Sequence, residues 1–468
     1  MSFFDNLEKY KDSIAVIDDN SNKYSYEKLL NCSEKVASYF SKRDIVFLIC
    51  ENSFEFLSCY VGLIRKKIVV FLIDKSLNEN NLIKLIDIYK PKYLLVPFDL
   101  KIFEFKKKQV QINNKYKLYF TKYKKISKID NNLALLISTS GTTGSPKFVK
   151  LSYENILNNT QKISEYLNIK KNHRAITTLQ PQYSYGLSII NSHLIKGSSV
   201  IMTDKTLLDK NFWELLKKEK ASTFGGVPFI FEILSKLKFS NMNLPSLKYL
   251  TQAGGKLQNN LLKEFNSICI KKKIKLIVMY GQTEASPRMS YLEWKYANKK
   301  IGSIGKALKG GTFELYDEKN KKIKKNNQVG ELAYIGKNIM LGYAHNSKDL
   351  KKNKKPKVLF TGDLGYRDKD GFYFLVGRKS RFIKIYGVRV SLNNIEEELN
   401  KKNINNAVVG EDNKLKIFIE DNKKTRSVLE ILKNQMLIKK NIIEIIAINK
   451  IPRNVDGKII YVQLKEKN

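Results

Sequence analysis

The run STSGTTGSPK, Ser138–Lys147, gathers small hydroxyls and glycines and ends in a proline and a lysine. Glycines let successive backbone N–H groups turn toward one point, hydroxyls add donors, and Lys147 adds positive charge. A site of that kind suits phosphate oxygens. It is not a Walker A loop, which needs GxxxxGK[ST], because Gly144 is followed by Ser145, Pro146 and Lys147. On these residues alone the run reads either as a phosphate cradle or as a flexible connection.

A cradle needs rigid neighbours. LALLIS (Leu133–Ser138) before it is an expected strand, and YENILNNTQKISEYL after it places Ile156, Thr160, Ile163 and Leu167 on one helical face. The order strand, glycine-rich turn, helix is therefore expected. The same alternation runs through the first three quarters of the chain. DIVFLIC, KIVVFLI and KYLLVPF read as buried strands, and YSYEKLLNCSEKVASYF reads as a helix burying Leu29, Leu30, Val36 and Phe40. This predicts an α/β fold of layered, largely parallel sheets. The pattern changes after Gly377, so residues 1–379 are expected to form a large N-terminal domain. Residues 380–468 are expected to form a small, mobile α+β domain.

Lys and Arg number 85 against 45 Asp and Glu, a net charge of +40 in 468 residues. The lysines are spread over the whole chain with many asparagines and isoleucines, which points to A/T-rich codon usage rather than a nucleic-acid surface. No zinc-finger spacing, RNP-like run or basic arm accompanies them, so no nucleic-acid partner is expected. The field would still draw anionic substrates. No apolar run approaches the roughly 18 residues of a membrane span, and MSFFDNLEKYKDS has no apolar signal core. Cys32, Cys50, Cys59 and Cys269 are scattered, without a CxxC pair, and read as reduced core thiols. A cytoplasmic protein without membrane insertion is expected.

STSGTTGSPK resembles the phosphate-binding loop of the adenylate-forming superfamily, which includes acyl-CoA synthetases, adenylation domains and luciferase-like ligases. Further motifs follow in that superfamily's order. YGQTEAS (Tyr280–Ser286) is similar to YGxTE, and GELAYIGKNIMLGY (Gly330–Tyr343) to GELxxxGxxxMxGY. TGDLGYRDKDGFYFLVGRKSRFIKIYGVRV (Thr361–Val390) carries the TGD, GR and KxxGxR signatures, and PRNVDGKI (Pro452–Ile459) resembles the closing lysine motif. The resemblance covers nearly the whole chain. It implies activation of a carboxylic acid by ATP as acyl-AMP, with release of pyrophosphate, then transfer to a thiol.

The resemblance also implies roles. Thr139, Ser140, Gly141, Thr142, Thr143, Gly144 and Lys147 would cradle the β- and γ-phosphates. Thr283 would meet the α-phosphate, and Glu284 would hold Mg²⁺, a hard ion suited to carboxylate oxygen. Tyr280, followed by Gly281, would stack on adenine, with Gly254 and Gly255 as the opposite wall. Asp363 would take the ribose hydroxyls, supported by Arg378. Lys458 would be the catalytic lysine, carried by the small domain to the reacting carboxylate and α-phosphate. Gly387 would line the tunnel for the thiol arm. Three positions depart from the pattern: Phe148 where glycine is usual, Tyr153 where histidine is frequent, and Ser380 at the hinge.

QPQYSYGLSIINSHL (Gln180–Leu194) occupies the position of the acyl pocket, with Tyr183, Tyr185 and Gly186 as its candidates. It offers no aspartate for a substrate ammonium, and an unpaired buried ammonium is costly. The expected substrate is a small carboxylic acid with a neutral tail: fatty, hydroxy or aromatic. The expected acceptor is CoA or the phosphopantetheine of an acyl carrier protein. The alternatives are an amino-acid or hydroxy-acid adenylating enzyme that loads a carrier protein, and a non-catalytic nucleotide-binding homologue.

Overall fold

A computed structural model describes the chain apart from residues 1–3, 101–108, 125–127, 139–146, 353–354, 386–387, 413, 435–437, 439, 454–456 and 466–468. Apart from Gly141–Gly144, which lie outside the described residues, the chain divides into two compact units. The larger takes Met1–Ser140, Ser145–Phe313 and Tyr334–Leu359. The smaller takes Glu314–Ala333 and Phe360–Asn468.

The larger unit holds an eight-stranded sheet. Its order is Tyr343–Ala344, Phe148–Ser152, Leu133–Ser138, Val69–Asp74, Ile45–Cys50, Tyr93–Pro97, Tyr116–Phe120 and Gln109–Gln111. Leu133–Ser138, Val69–Asp74, Ile45–Cys50 and Tyr93–Pro97 run parallel. Every residue of Ile45–Cys50 is buried, which is why this strand reads as a continuous apolar run rather than an alternating one. The expected helix is Tyr153–Tyr166, capped by Ser152 and Asn155 in a reciprocal capping box.

One expectation is corrected. The residues after Lys147 do not enter that helix directly, because Phe148–Ser152 forms a strand antiparallel to Leu133–Ser138, with Ser138 opposite Phe148. The glycine-rich run therefore joins two neighbouring strands. Phe148 explains why: its ring is buried edge-on against Phe71 and Tyr89, at 5.1 and 5.2 Å between centroids. A glycine would leave that space empty.

A second layer in this unit is a βα alternation. Strands Arg174–Thr177, Ser199–Met202, Thr223–Gly226, Tyr249–Gln252 and Lys275–Gly281 are parallel, and a helix connects each to the next: Ser184–Leu194, Lys210–Lys218, Pro228–Lys236 and Asn259–Lys271. The layer ends in two antiparallel strands, Arg288–Leu292 and Ser303–Ala307. In such sheets the carboxyl ends of the parallel strands are where ligands bind.

The smaller unit is α+β. Leu359–Arg367 pairs antiparallel with Tyr373–Arg378. A two-stranded hairpin, Phe382–Ile385 and Val388–Ser391, leads into the helix Leu392–Lys401. Asn406–Glu411, Lys414–Ile419 and Ile443–Ala447 form a three-stranded sheet. Ile395, Leu399, Val408, Ile417 and Leu432 form its core. Arg381 pairs there with buried Glu396 at 2.7 Å and stacks on Tyr461, whose hydroxyl also donates to Glu396.

Cys50, Cys59 and Cys269 are buried as expected; Cys32 is only half-buried, and all four thiols are free. Among the described residues no helix is long and apolar enough to cross a membrane.

Candidate active site

The strand Lys275–Gly281 delivers Tyr280 and Gly281 to a tight turn, Thr283–Ala285. Gly281 is required by space. A Cβ there would lie 2.0 Å from the carbonyl oxygen of Pro287, where the chain doubles back. The turn is braced from outside. Asn338 Nδ2 donates to the carbonyls of Ala285 and Arg288 at 2.6 and 2.9 Å, and Ser286 Oγ donates to the Asn338 carbonyl at 2.8 Å. The Met340 N–H donates to the Glu284 carbonyl at 2.9 Å. The GELAYIGKNIMLGY segment thus acts partly as a clamp on the YGQTEAS turn.

The Glu284 side chain is held from the same segment. Tyr343 Oη donates to Glu284 Oε1 at 2.9 Å. Lys147 Nζ lies 3.4 Å from the centroid of the Tyr343 ring. One phenol therefore joins the lysine that closes the glycine-rich run to the glutamate of the turn. It places a cation over its face and an anion at its hydroxyl. Glu284 is half-buried, and among the described residues only its Oε1 has a hydrogen-bond partner. A free carboxylate oxygen on a fixed carboxylate fits Mg²⁺, which takes one or two protein carboxylates and draws its remaining ligands from phosphates and water. The described residues hold no larger cluster of metal-binding side chains.

Thr283 Oγ1 lies 3.1 Å from Ser184 Oγ, at the first turn of the helix Ser184–Leu194. That contact brings the expected α-phosphate residue to the expected acyl segment. Gly186 has no room for a side chain, since a Cβ would meet the carbonyl oxygens of Gln180 and Leu179 at 2.5 and 2.6 Å. The two tyrosines diverge. Tyr183 Oη donates to Asp74 Oδ2 at 3.3 Å, at the end of a strand of the first sheet. Tyr185 points inward, with its hydroxyl 2.8 Å from Thr251 Oγ1, and burial pushes that hydroxyl up to about 12. Gly254 and Gly255 follow the strand Tyr249–Gln252, the parallel neighbour of the strand carrying Tyr280. Gly254 adopts φ +84°, and Gln252 Nε2 donates to the Gly255 carbonyl at 2.8 Å. Tyr280 is half-buried, its ring 6.2 Å from that of Phe313.

In the smaller unit, Asp363 and Arg378 are register partners on the antiparallel pair, with Arg378 Nε 2.7 Å from Asp363 Oδ1. Asp363 is buried and Arg378 exposed. The Asp363 N–H donates to Thr361 Oγ1 at 3.1 Å, and Thr361 Oγ1 donates to the Leu332 carbonyl at 2.7 Å. Lys458 is exposed beside Gly457, where Arg453 Nη1 donates to the Gly457 carbonyl at 2.8 Å and Arg453 bridges to Ile459. Thr139, Ser140, Gly141, Thr142, Thr143, Gly144 and Gly387 lie outside the described residues.

Ser184, Asn338 and Tyr343 lie within the quoted acyl segment and GELAYIGKNIMLGY motif but carried no assigned role, and Arg288 had no signal in the sequence.

A layered sheet-and-helix unit with a small α+β unit, and a braced turn bearing Glu284, define an adenylate-forming architecture. The chain belongs to the AMP-binding enzyme family, whose profile matches residues 3–344. It is similar to the long-chain-fatty-acid–CoA ligase of Bacillus subtilis, 29% identical over 280 residues, 58% of this chain and 49% of that protein. It is 30% identical to the oxalate–CoA ligase of Saccharomyces cerevisiae over 56% of this chain and 47% of that protein. It is 28% identical to the 2-succinylbenzoate–CoA ligase of Listeria monocytogenes over 346 residues, 72% of this chain and 70% of that protein. The match thus spans about half the length of the first two relatives. Among solved structures, O-succinylbenzoate coenzyme A synthetase (MenE) from Bacillus subtilis in complex with AMP aligns over 100% of this chain and 99% of its own, with TM-score 0.82 and 20% identity. The likeness at that identity is one of fold.

Proposed function

We propose that this protein is an ATP-dependent acid–thiol ligase. A substrate carboxylate oxygen attacks the α-phosphorus of ATP, the bond to pyrophosphate breaks, and acyl-AMP forms. A thiol, losing its proton, then attacks the acyl carbon, and AMP leaves. CoA is the proposed acceptor, the thiol named for the relatives; a carrier-protein phosphopantetheine is the second candidate. The cytoplasm is the proposed location, supported by four free cysteines.

The observation that carries the reading is the Lys147–Tyr343–Glu284 chain, which concentrates an aimed cation and a metal-competent carboxylate beside the turn of Thr283. Mg²⁺ bound there would neutralise charge on the phosphates. Lys147 adds a fixed cation to the phosphate side, and Thr283 positions the α-phosphate next to Ser184. Asp363, held by Arg378, receives the ribose hydroxyls, and Lys458 brings positive charge to the attacking carboxylate. Such preorganised charge is commonly the largest contribution to catalysis. The boundary at Lys379–Ser380 belongs to the same proposal, as a hinge letting residues 380–468 present Lys458 for one half-reaction and withdraw it for the other.

The test is acid-dependent exchange of labelled pyrophosphate into ATP over a panel of carboxylic acids, repeated with CoA and with a phosphopantetheinylated carrier. Exchange with at least one acid, and acid-dependent thioester formation, is the expected result. No exchange with any acid would instead favour a nucleotide-binding homologue without turnover.

A further inference from the structure

Beside Tyr185 lies a cavity whose other polar residues have not yet been given a role. It is bounded by the helix Ser184–Leu194, by the strands bearing Gly225, Tyr249 and Met279, and by Arg288. Its volume is about 20 Å³, room for a terminal polar group rather than a whole ligand. Gly225 keeps it open, because a Cβ there would lie 2.9 Å from both Tyr185 Oη and Ile189 Cδ1.

Arg288 is the unusual member. It starts the strand Arg288–Leu292, opposite Gly281 of the YGQTEAS turn, and is 2% exposed. Its guanidinium lies 5.1 Å from the centroid of the Tyr185 ring, with the neutral phenol of Tyr166 nearby. Among the described residues no carboxylate pairs with it, and its Nε has no hydrogen-bond partner. An arginine cannot shed its proton to escape burial. Stacking on a phenol offsets only part of the cost of desolvating the charge. Tyr249, 4% exposed on the same cavity, also has an unpartnered hydroxyl among the described residues. His193 does not add a second cation: burial pushes it down to about 4, its Nδ1–H donates to the Ile189 carbonyl, and its Nε2 accepts from Thr223. The cavity thus presents one uncompensated positive charge and a spare hydroxyl, between apolar walls.

We propose that Arg288 is a specificity-determining residue that receives a second carboxylate, at the tail of the acid being activated, with the Tyr249 hydroxyl as a further donor. The substrate class is a short dicarboxylic acid, one end activated and the other end held. The planar guanidinium fork matches a carboxylate, whereas an ammonium tail would be repelled and a neutral tail would leave the charge unpaired. This departs from the neutral tail expected from Gln180–Leu194 alone, and it rests on the ligase reading above.

The experiment is pyrophosphate exchange with short aliphatic and aromatic dicarboxylic acids, each matched to its monomethyl ester. Wild type is expected to favour the diacid in kcat/KM by about 10⁴–10⁵-fold, the range for a site whose buried polar partner is otherwise left unpaired. Arg288→Met should cut the diacid-to-ester ratio by about 10²-fold, and Arg288→Lys should restore part of it. A purely structural role would lower both substrates together and leave the ratio unmoved. An unchanged ratio in Arg288→Met, or a wild-type preference for the esters, overturns the proposal while the ligase reading stands. Exchange with neither series, while another acid of the panel exchanges, overturns the proposal; no exchange with any acid defeats the ligase reading itself. The thermal shift produced by the diacid alone then decides, and a shift that is absent, or that survives in Arg288→Met, also overturns the proposal.

Discussion

Glu284 shows how little of a catalytic residue's setting is local. Its carboxylate is fixed by Tyr343 on one oxygen, which leaves the other for an ion. Glu284→Gln keeps the shape and removes the charge. Turnover should fall by about 10²–10³-fold, the scale of losing one aimed electrostatic group. Part of the loss should return as magnesium is raised. A magnesium titration of wild type and variant checks this, and unchanged turnover at limiting magnesium would refute the metal assignment. His193 gives a pH prediction at the same scale. Burial lowers its pKa from 6.5 to about 4, so below 6.5 the unfolded chain takes up a proton that the folded chain refuses. Stability is therefore full above pH 6.5 and falls as pH drops toward 4. The total loss is about 3 kcal/mol at about 1.4 kcal/mol per unit. Urea unfolding followed from pH 7 to pH 4.5 should show a flatter decline in His193→Gln than in wild type.

At the scale of elements, the strand Phe148–Ser152 carries the most local information. It separates the glycine-rich run from the helix and anchors Lys147 beside Tyr343, which begins the neighbouring strand Tyr343–Ala344. Its first residue fills the core between Phe71 and Tyr89. Phe148→Ala should destabilise the larger unit by about 3–5 kcal/mol, the usual cost of deleting a buried aromatic ring. Phe148→Gly, although nearer the superfamily pattern, should be worse by roughly a further 0.5–1 kcal/mol because glycine weakens a strand interior. Chemical denaturation of the two variants measures both. An equal stability of wild type and Phe148→Ala would show that this ring is not part of the folding core.

At the scale of the whole molecule, the proposed mechanism separates in two. Lys458→Ala should cut acyl-AMP formation by about 10²–10³-fold. It should affect thiol transfer from pre-formed acyl-AMP far less. Gly387→Trp, at the expected thiol tunnel, should do the reverse. Each pose of a rotating domain assembles a different set of groups, so the halves can fail independently. Single-turnover kinetics with ATP and acid, and separately with synthetic acyl-AMP and CoA, measures the split. Equal slowing of both halves by Lys458→Ala would contradict the two-pose mechanism.

The parallel strands, the helix Tyr153–Tyr166, the α/β class and the ordered motifs were legible in the residues alone, because each is written in neighbouring positions as a period or a spacing. LALLIS and DIVFLIC needed nothing but their apolar runs. The strand at Phe148–Ser152 was missed because its five buried residues follow a loop motif that pointed to a helix, and only pairing with Leu133–Ser138 makes it a strand. The bond from Tyr343 to Glu284 crosses 59 residues, and that between Ser184 and Thr283 crosses 99. No local pattern encodes such contacts; sheet register and the packing of the Gly330–Tyr343 segment decide them. Arg288 is the sharpest case. In sequence it is one cation among 85, and only the fold turns it inward beside Tyr185, where a buried charge with no carboxylate partner among the described residues bears on the ligand.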